Sequence, residues 1–264
     1  MTGADRFPGW FDALEKRHFA SLTFQEVRKG LQALSSLYVE RRERLARGAA
    51  LDGAGKRAAF GLFYGPLHFL TVRAVARALE IGRLDPPLIV DLGCGSAAAG
   101  AGWALASAPA PEVAGVELNG WAVEEARFNL RALGLRGRVS KGDLLGARLP
   151  RTGGVLLAWT LNELEPEPAA ALLERLLAAR AEGAALLVVE PIARRVASAW
   201  PQWAAAFESR GGRQDEWRFP AELPERLRLL DKAAGLDHRE LTARSLFLRG
   251  SRGGGPPGAH VPRV

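Results

Sequence analysis

Residues 88–117 read LIVDLGCGSAAAGAGWALASAPAPEVAGVE, and in this stretch two short apolar runs flank a glycine-rich turn. The first run contains Asp91 near its end, and the second run closes on Glu117. Between them, small residues lead into a helical pattern. This order predicts a βαβ unit, in which a helix joins two parallel strands.

The turn Gly93-Cys94-Gly95 has the chemistry of a nucleotide-binding loop. Glycines at the end of a strand allow a sharp turn and let the backbone approach a ligand closely. The helix that follows offers unpaired N–H groups to a carboxylate or a phosphate. Glu117 can accept two hydrogen bonds from ribose hydroxyls. The unit therefore predicts a cofactor that contains a nucleoside.

Two cofactors fit this unit. Residues 93–98 match the pattern G-x-G-x-x-A, so the glycines alone leave a dinucleotide site open. Asp91 lies two residues before the first glycine, and the resulting D-x-G-x-G resembles motif I of the class I S-adenosylmethionine (SAM) methyltransferases. The resemblance extends over about residues 88–248. It implies SAM as the cofactor and a role for Asp91 at the methionine end of it.

The third predicted strand, residues 138–141, is followed by Asp143. In class I methyltransferases an acid in this place accepts a hydrogen bond from the adenine amino group, and the resemblance implies that role for Asp143. The alternative is an aspartate that caps a turn. All the predicted cofactor-binding residues follow or close the first four predicted strands: Asp91, Gly93, Cys94, Gly95, Glu117, Leu118, Asp143, Leu144 and Thr160.

The methyl acceptor is predicted to face Asn162 and Glu163, which follow the fourth predicted strand, residues 154–159. In a doubly wound sheet the crevice lies at the carboxyl ends of the central strands. The Asn162 amide can donate and accept and so can orient an amine, and Glu163 can accept a proton. The alternative is that this segment only starts the next helix, with Pro166 in its first turn. An Asp/Asn-Pro-Pro-Tyr motif is absent, so adenine-N6 chemistry is not implied.

The segment before the first strand is aromatic. Tyr64-Gly65-Pro66 is predicted to bend or cap the chain, because proline disfavours helix at the residue before it. A helix is predicted to follow over residues 70–79. The favoured interpretation is an aromatic core between the N-terminal helices and the sheet. The alternative is that Tyr64 or His68 lines the cofactor pocket.

The whole pattern predicts an α/β fold with a Rossmann-like, seven-stranded class I methyltransferase sheet and a helical N-terminal extension. Residues 184–190 give a fifth strand, and residues 238–241 and 244–248 are predicted to be the final antiparallel pair. The predicted domains are a helical extension (1–80), a SAM-binding methyltransferase domain (81–249) and a disordered tail (250–264).

Composition limits the possible partners. The 264 residues carry a formal net charge of +7 and a pI of about 10.3, which favours polyanions such as RNA. The single cysteine excludes an internal disulfide, and the four histidines lack metal-ligand spacing. No membrane span or signal peptide is predicted, so a cytoplasmic location is expected. The basic run at residues 41–47 is either a solvated helix face or an RNA contact.

Five short motifs carry a closer resemblance: LSSLY (34–38), YGP (64–66), VRAV (72–75), LNEL (161–164) and LVVEP (187–191). On these motifs the chain is similar to the methyltransferase-like family of the ribosomal small subunit, which is known mainly from mitochondrial ribosomes. The resemblance implies a role in the modification or assembly of small-subunit rRNA. Members of that family commonly hold an iron–sulfur cluster through C-terminal cysteines. This chain has no cysteine after residue 191 and so supplies no such ligands.

The leading hypothesis is a SAM-dependent methyltransferase that acts on RNA, with small-subunit rRNA as the acceptor and RNA or the small subunit as the partner. A second hypothesis is a non-catalytic assembly factor that retains the fold. A third is a methyltransferase for a small molecule or a protein, in which the N-terminal helices form a lid. A dinucleotide oxidoreductase ranks fourth, because no separate substrate domain and no catalytic His/Lys/Tyr set is evident.

Overall fold

The computed structural model describes residues 5–40, 51–84, 86–192 and 199–251, with side chains omitted for residues 37–40. The predictions for the basic run at 41–47 and for the tail beyond residue 251 lie outside these ranges.

Seven strands in the described residues form one sheet in the order β3-β2-β1-β4-β5-β7-β6. The first five strands are parallel, and β7 runs antiparallel between β5 and β6. The strands are β1 (Leu88–Leu92), β2 (Glu112–Glu117), β3 (Gly137–Lys141), β4 (Gly153–Ala158), β5 (Ala184–Glu190), β6 (Arg213–Pro220) and β7 (Glu240–Leu248). The predicted fold class is confirmed.

Helices cover both faces of the sheet. They are α1 (Phe7–His18), α2 (Phe24–Glu40), α3 (Ala54–Ala59), α4 (Gly65–Ala78), α5 (Ala98–Ala104), α6 (Gly120–Ala132), α7 (Pro166–Glu182), α8 (Trp200–Glu208) and α9 (Glu225–Ala233). Short 3₁₀ turns occur at Ile81–Leu84, Leu144–Gly146 and Leu161–Glu163. Among the described residues, no helix has the length and the apolar character that a membrane crossing requires.

The alternation of side chains along the strands builds a separate core on each face. On β5, Leu187 joins one hydrophobic cluster and Val188 joins the other. The first cluster contains α4, α5, α6 and α9, and also buried residues of α1 and α2 such as Trp10 and Leu31. The second cluster is covered by α7 and α8. The N-terminal helices therefore pack into the same core as one face of the sheet.

The small residues after the glycine turn are required by close packing of α5. A Cβ atom on Gly102 would lie 2.5 Å from the Phe69 carbonyl oxygen of α4, a distance that real contacts do not reach. The backbones of α4 and α5 can therefore approach each other only with glycine here.

Two predictions about secondary structure are wrong. The final antiparallel pair is not formed by residues 238–241 and 244–248, because β7 runs without a break from Glu240 to Leu248. Its partner is β6, an edge strand in which charged residues alternate with Trp217 and Phe219. An edge strand with so many charges lacks the apolar run that marks a buried strand.

The second error concerns Pro66, which does not interrupt the helix. Residues Phe60–Tyr64 form a π-helical turn that passes directly into α4, and the Gly65 N–H donates to the Phe60 carbonyl oxygen five residues earlier. Proline lacks an N–H, and its ring clashes with the carbonyl group four residues before it in a regular α-helix. The wider π turn relieves that clash, so Tyr64 and Gly65 keep helical angles.

Candidate functional site

The candidate site lies at the carboxyl ends of β1, β2, β4 and β5. The strand order reverses direction between β1 and β4, and in such sheets the ligand crevice opens at this point. The glycine turn after β1, the acid that ends β2 and the turn after β4 all lie at this edge. These are the segments in which the sequence placed most of its candidate residues.

The glycine turn has left-handed backbone angles. Gly93 has φ +66° and Gly95 has φ +51°. The N–H groups of Gly93 and Cys94 both donate to the Val116 carbonyl oxygen of β2, at 2.9 and 3.1 Å. A Cβ atom on Gly93 would lie 2.7 Å from the Thr160 methyl carbon. Position 93 therefore requires glycine both for its conformation and for the lack of space.

Glu117 joins the loops that follow β1 and β2. Its Oε2 accepts a hydrogen bond from the Gly95 N–H at 2.9 Å, and its Oε1 accepts one from the Asn119 N–H at 2.8 Å. The side chain of Asn119 in turn caps α6. An ionised carboxylate has about four acceptor positions, so Glu117 keeps capacity for further donors such as ribose hydroxyls.

Asp91 lies beneath the glycine turn and is only 1% exposed. Its Oδ2 accepts a hydrogen bond from the Gly100 N–H of α5 at 3.0 Å. Burial, helped by the negative charge of Glu117 and opposed by this hydrogen bond, raises the pKa of Asp91 to about 7. Asp91 thus fixes the start of α5 against β1.

Cys94 is buried, and burial together with the charges of Asp91 and Glu117 raises its pKa well above the usual value. The thiol is therefore protonated, which fits a small residue in a tight turn and not a nucleophile.

The residues predicted to bind the adenosine differ in their exposure. Leu118 follows Glu117 and is 64% exposed, a high value for a large apolar side chain. Leu144 is buried. Asp143 is exposed, and its Oδ1 accepts a hydrogen bond from the Leu145 N–H at 2.9 Å. Asp143 thus caps a turn as the alternative interpretation held, and this cap uses one of its two carboxylate oxygens.

The turn after β4 is attached to β5 through a buried acid, Glu190. The Leu161 N–H donates to Glu190 Oε1, and Asn162 Nδ2 donates to Glu190 Oε2, each at 2.8 Å. Burial raises the pKa of Glu190 to about 8, although hydrogen bonding to the backbone N–H groups of Leu161 and Asn162 acts in the opposite direction. Helix α7 begins at Pro166 and has Glu165 as its N-cap residue. Proline is therefore in the first turn of this helix, as the alternative interpretation held, but Asn162 does not cap it. Glu163 is exposed beside this pair.

Thr160 is buried below the glycine turn. Its Oγ1 lies 3.1 Å from the Ala158 carbonyl oxygen and 3.3 Å from the Leu92 carbonyl oxygen. Its methyl group occupies the space next to Gly93. Thr160 therefore supports the turn from behind.

Aromatic residues cover this edge of the sheet. The rings of His68 and Trp159 stack with centroids 3.8 Å apart and an interplanar angle of 10°. Tyr64 packs beside His68, and Phe60 lies over Gly95. Burial lowers the pKa of His68 to about 3, so this imidazole is neutral at physiological pH. The favoured interpretation of this segment is confirmed, since Phe60, Phe63 and Phe69 are buried in one core with the N-terminal helices and the sheet. That Tyr64 or His68 lines the cofactor pocket stays a prediction.

Trp159 was missed as a candidate residue. It has φ +57°, which is rare for a bulky side chain and is typical of strained positions near functional sites. The sequence placed it at the end of the fourth strand, and no local pattern signals its backbone angle. Glu190 was predicted only as the last residue of the fifth strand and as part of the motif LVVEP. Within the described residues, no cluster of His, Cys, Asp and Glu can hold a metal ion.

No protein-family model matches this chain, and no curated protein matches it. Solved structures do. The mitomycin 7-O-methyltransferase MmcR is 19% identical with a TM-score of 0.51, over 92% of this chain and 73% of that one. The SAM-bound magnesium protoporphyrin IX methyltransferase ChlM of Synechocystis PCC 6803 is 17% identical with a TM-score of 0.48, over 86% and 97% of the two chains.

A third structure is the O-methyltransferase NcsB1 of neocarzinostatin biosynthesis, in complex with SAM and a naphthoic acid. It is 16% identical with a TM-score of 0.43 over 63% of this chain, and the chain spans half of its length. Together, the strand order and the likeness to MmcR show that this chain has the class I methyltransferase fold.

Proposed function

We propose that this chain is a SAM-dependent methyltransferase. The observation that carries the proposal is the position of Glu117, whose carboxylate joins the glycine turn to the loop after β2 and keeps acceptor capacity for ribose hydroxyls. Leu118 provides a second test of whether these residues fit the adenosine part of SAM. It is a large apolar side chain that lies exposed directly after the proposed ribose acceptor, where an adenine ring can cover it. The fold shared with MmcR supports methyl transfer.

The roles of the remaining residues follow from their positions. The backbone of Gly93 and Gly95 would lie against the methionine part of the cofactor, and Asp91 would hold α5 in place behind it. Asp143 remains the proposed partner of the adenine amino group. The cofactor supplies the reactive sulfonium methyl group, and the protein supplies position and electrostatics.

The acceptor that we propose is RNA. The net charge of +7 supports a polyanionic partner, since Lys and Arg that neutralise phosphates release counterions. The motifs that resemble the small-subunit family favour small-subunit rRNA, and we propose a cytoplasmic location. The same motifs also fit an assembly factor that binds the subunit without turnover.

A small aromatic acceptor is a second candidate, and the aromatic cover favours it. Phe60, Tyr64 and His68 come from the segment before β1 and lie over the carboxyl edge of the sheet, as a lid over a small substrate would. Aromatic faces also stack on nucleobases, so the cover is compatible with RNA.

Calorimetric titration with SAM, S-adenosylhomocysteine and NAD tests the cofactor. Binding of both adenosyl ligands without a response to NAD supports the proposal, and NAD binding alone refutes it. Transfer of a labelled methyl group to purified small-subunit rRNA then tests the acceptor. SAM binding with salt-sensitive rRNA binding but no transfer favours the assembly factor, and transfer only to small aromatic hydroxyl compounds favours the second candidate.

A further inference from the structure

Glu190, at the carboxyl end of β5, is a buried acid whose hydrogen bonds all serve a neighbouring loop. Its exposure is 0%, and its two oxygens accept from Leu161 and Asn162 in the turn after β4. Burial of a carboxylate is unfavourable unless hydrogen bonds compensate it. These two bonds connect β5 to the turn in which the acceptor-facing residues were predicted.

The contact determines which end of the Asn162 amide points to Glu190. The Asn162 NH₂ group faces Glu190, and this is the only orientation that pairs the two side chains when Glu190 is ionised, because an ionised carboxylate only accepts hydrogen bonds. The other end of the amide, Oδ1, is therefore turned away from Glu190. An amide oxygen is an acceptor for N–H and O–H groups.

We propose that Glu190 is a positioning residue that fixes the orientation of the Asn162 amide, so that Asn162 Oδ1 accepts a hydrogen bond from an amino or hydroxyl group of the methyl acceptor. This inference rests on the proposed function and names the chemical class of its acceptor. In the transfer, a lone pair of that nitrogen or oxygen forms the bond to the methyl carbon. The C–S bond breaks with its electrons going to sulfur, and the N–H or O–H proton leaves to water.

The charge state of Glu190 makes the arrangement depend on pH. Among the described residues, the charged groups facing it are Glu163 in the same turn and Arg244, its register partner on β7. Burial and, to a smaller extent, Glu163 raise the pKa of Glu190, while hydrogen bonds from the backbone of Leu161 and Asn162 and the charge of Arg244 lower it, and the result is about 8. A protonated Glu190 can donate to Asn162 Oδ1 and so reverse the amide. The productive orientation is therefore gained as pH rises through about 8.

Two substitutions reverse the polarity of the pair. In Glu190→Gln, the new amide keeps one oxygen for the Leu161 N–H and turns its NH₂ group to Asn162, so Asn162 Oδ1 turns inward. Adding Asn162→Asp supplies an oxygen to that NH₂ group and presents the second oxygen to the acceptor. We expect Glu190→Gln to lower kcat for methyl transfer to small-subunit rRNA by about tenfold or more, and the double variant to recover part of it.

Three further readouts separate positioning from a general loss of structure. SAM affinity by calorimetry should stay within about twofold of wild type in both variants, since the hydrogen bonds that change lie within β5 and the turn after β4. Glu167→Gln, an exposed glutamate in the first turn of α7, is the matched control and should behave as wild type. The wild-type pH–rate profile needs no variant and should rise with a midpoint near 8.

A nuclear magnetic resonance experiment follows the hydrogen bond between Glu190 and Asn162 without requiring methyl transfer. In protein labelled with ¹⁵N-asparagine, the side-chain signal that disappears in Asn162→Asp should titrate near pH 8 in wild type and lose this titration in Glu190→Gln. An Asn162 signal that does not titrate, or an equal kcat in wild type and Glu190→Gln, overturns the inference. Equal loss in the single and the double variant also overturns it. A wild type that binds no SAM refutes the proposed function instead, and this titration still reports on the pair.

Discussion

Glu117→Ala provides the sharpest test of the proposed cofactor. The substitution removes a carboxylate that is free to accept two ribose hydroxyls, and hydrogen bonds to charged groups contribute about 1.5–3 kcal/mol each. The loss of two such bonds amounts to about 3 kcal/mol or more, which corresponds to a Kd for SAM at least about 100-fold weaker. Glu117→Gln keeps one acceptor oxygen, so its Kd for SAM should lie between those of wild type and Glu117→Ala. Calorimetric titration with SAM and S-adenosylhomocysteine measures both effects.

The same substitution should lower stability by a smaller amount. The Gly95 and Asn119 N–H groups lose their acceptor, but both are partly exposed and can turn to water, so we expect about 1 kcal/mol for each. Glu112→Ala is the matched control, because Glu112 begins the same strand, at the end opposite to Glu117, and forms an ion pair with Arg138 of the edge strand β3. A Kd for SAM within about twofold of wild type in Glu117→Ala would refute the assignment, provided that the variant is folded.

Three further predictions follow from the described contacts. Gly93→Ala should abolish measurable SAM binding, since it adds a Cβ atom beside Thr160 at a residue with φ +66°. Gly9→Ala is the control: a Cβ atom at position 9 would have no other atom within 4 Å, so the Kd for SAM in calorimetric titration should not change. Trp10→Phe should lower the free energy of unfolding by about 1–3 kcal/mol in urea titrations, because the buried Asn129 amide loses its donor, and an unchanged midpoint would contradict this. The free energy of unfolding should fall as pH rises from about 5 to 8. Asp91, with a pKa of about 7 in place of the usual 3.8, keeps its proton in the folded state at pH values where the unfolded chain has lost it. The whole shift corresponds to about 4 kcal/mol, of which about 3 kcal/mol falls between about pH 5 and pH 8. Glu190, with its pKa raised to about 8, contributes to the same fall, so Asp91→Asn should make the dependence shallower without abolishing it in urea titrations at pH 5, 6.5 and 8. An equally steep fall in the variant would disprove the assignment.

Buried parallel strands were predicted most accurately. The bounds of β5 agree with the predicted strand at residues 184–190, because a strand covered on both faces appears as a continuous apolar run. The edge strand β6 was not predicted, since one of its faces meets solvent and its charges hide the weak alternation around Trp217. The π turn before Pro66 was also missed, because a prediction from proline alone assumes regular α-helical geometry.

The candidate site was predictable where its chemistry is local. The glycine turn and Glu117 lie within one βαβ unit, so spacing along the chain was sufficient to bring them together. The partner of Asn162 lies 28 residues away on β5, and His68 reaches Trp159 from a helix that precedes the sheet. Such pairs depend on the order of strands and on helix packing, which residue spacing does not encode.

The bond from Trp10 to Asn129 also constrains the order in which the protein can fold. The Asn129 side chain also donates a hydrogen bond to the Ser96 carbonyl oxygen, next to the glycine turn. Arg6, just before α1, donates to the Leu133 carbonyl oxygen at the end of α6. These contacts of α1 close loops of more than 100 residues, and long loop closures carry an entropic cost that slows folding. We therefore expect α1 to dock only after the βαβ unit has assembled, so that the glycine turn acquires its outer support in one of the last steps of folding.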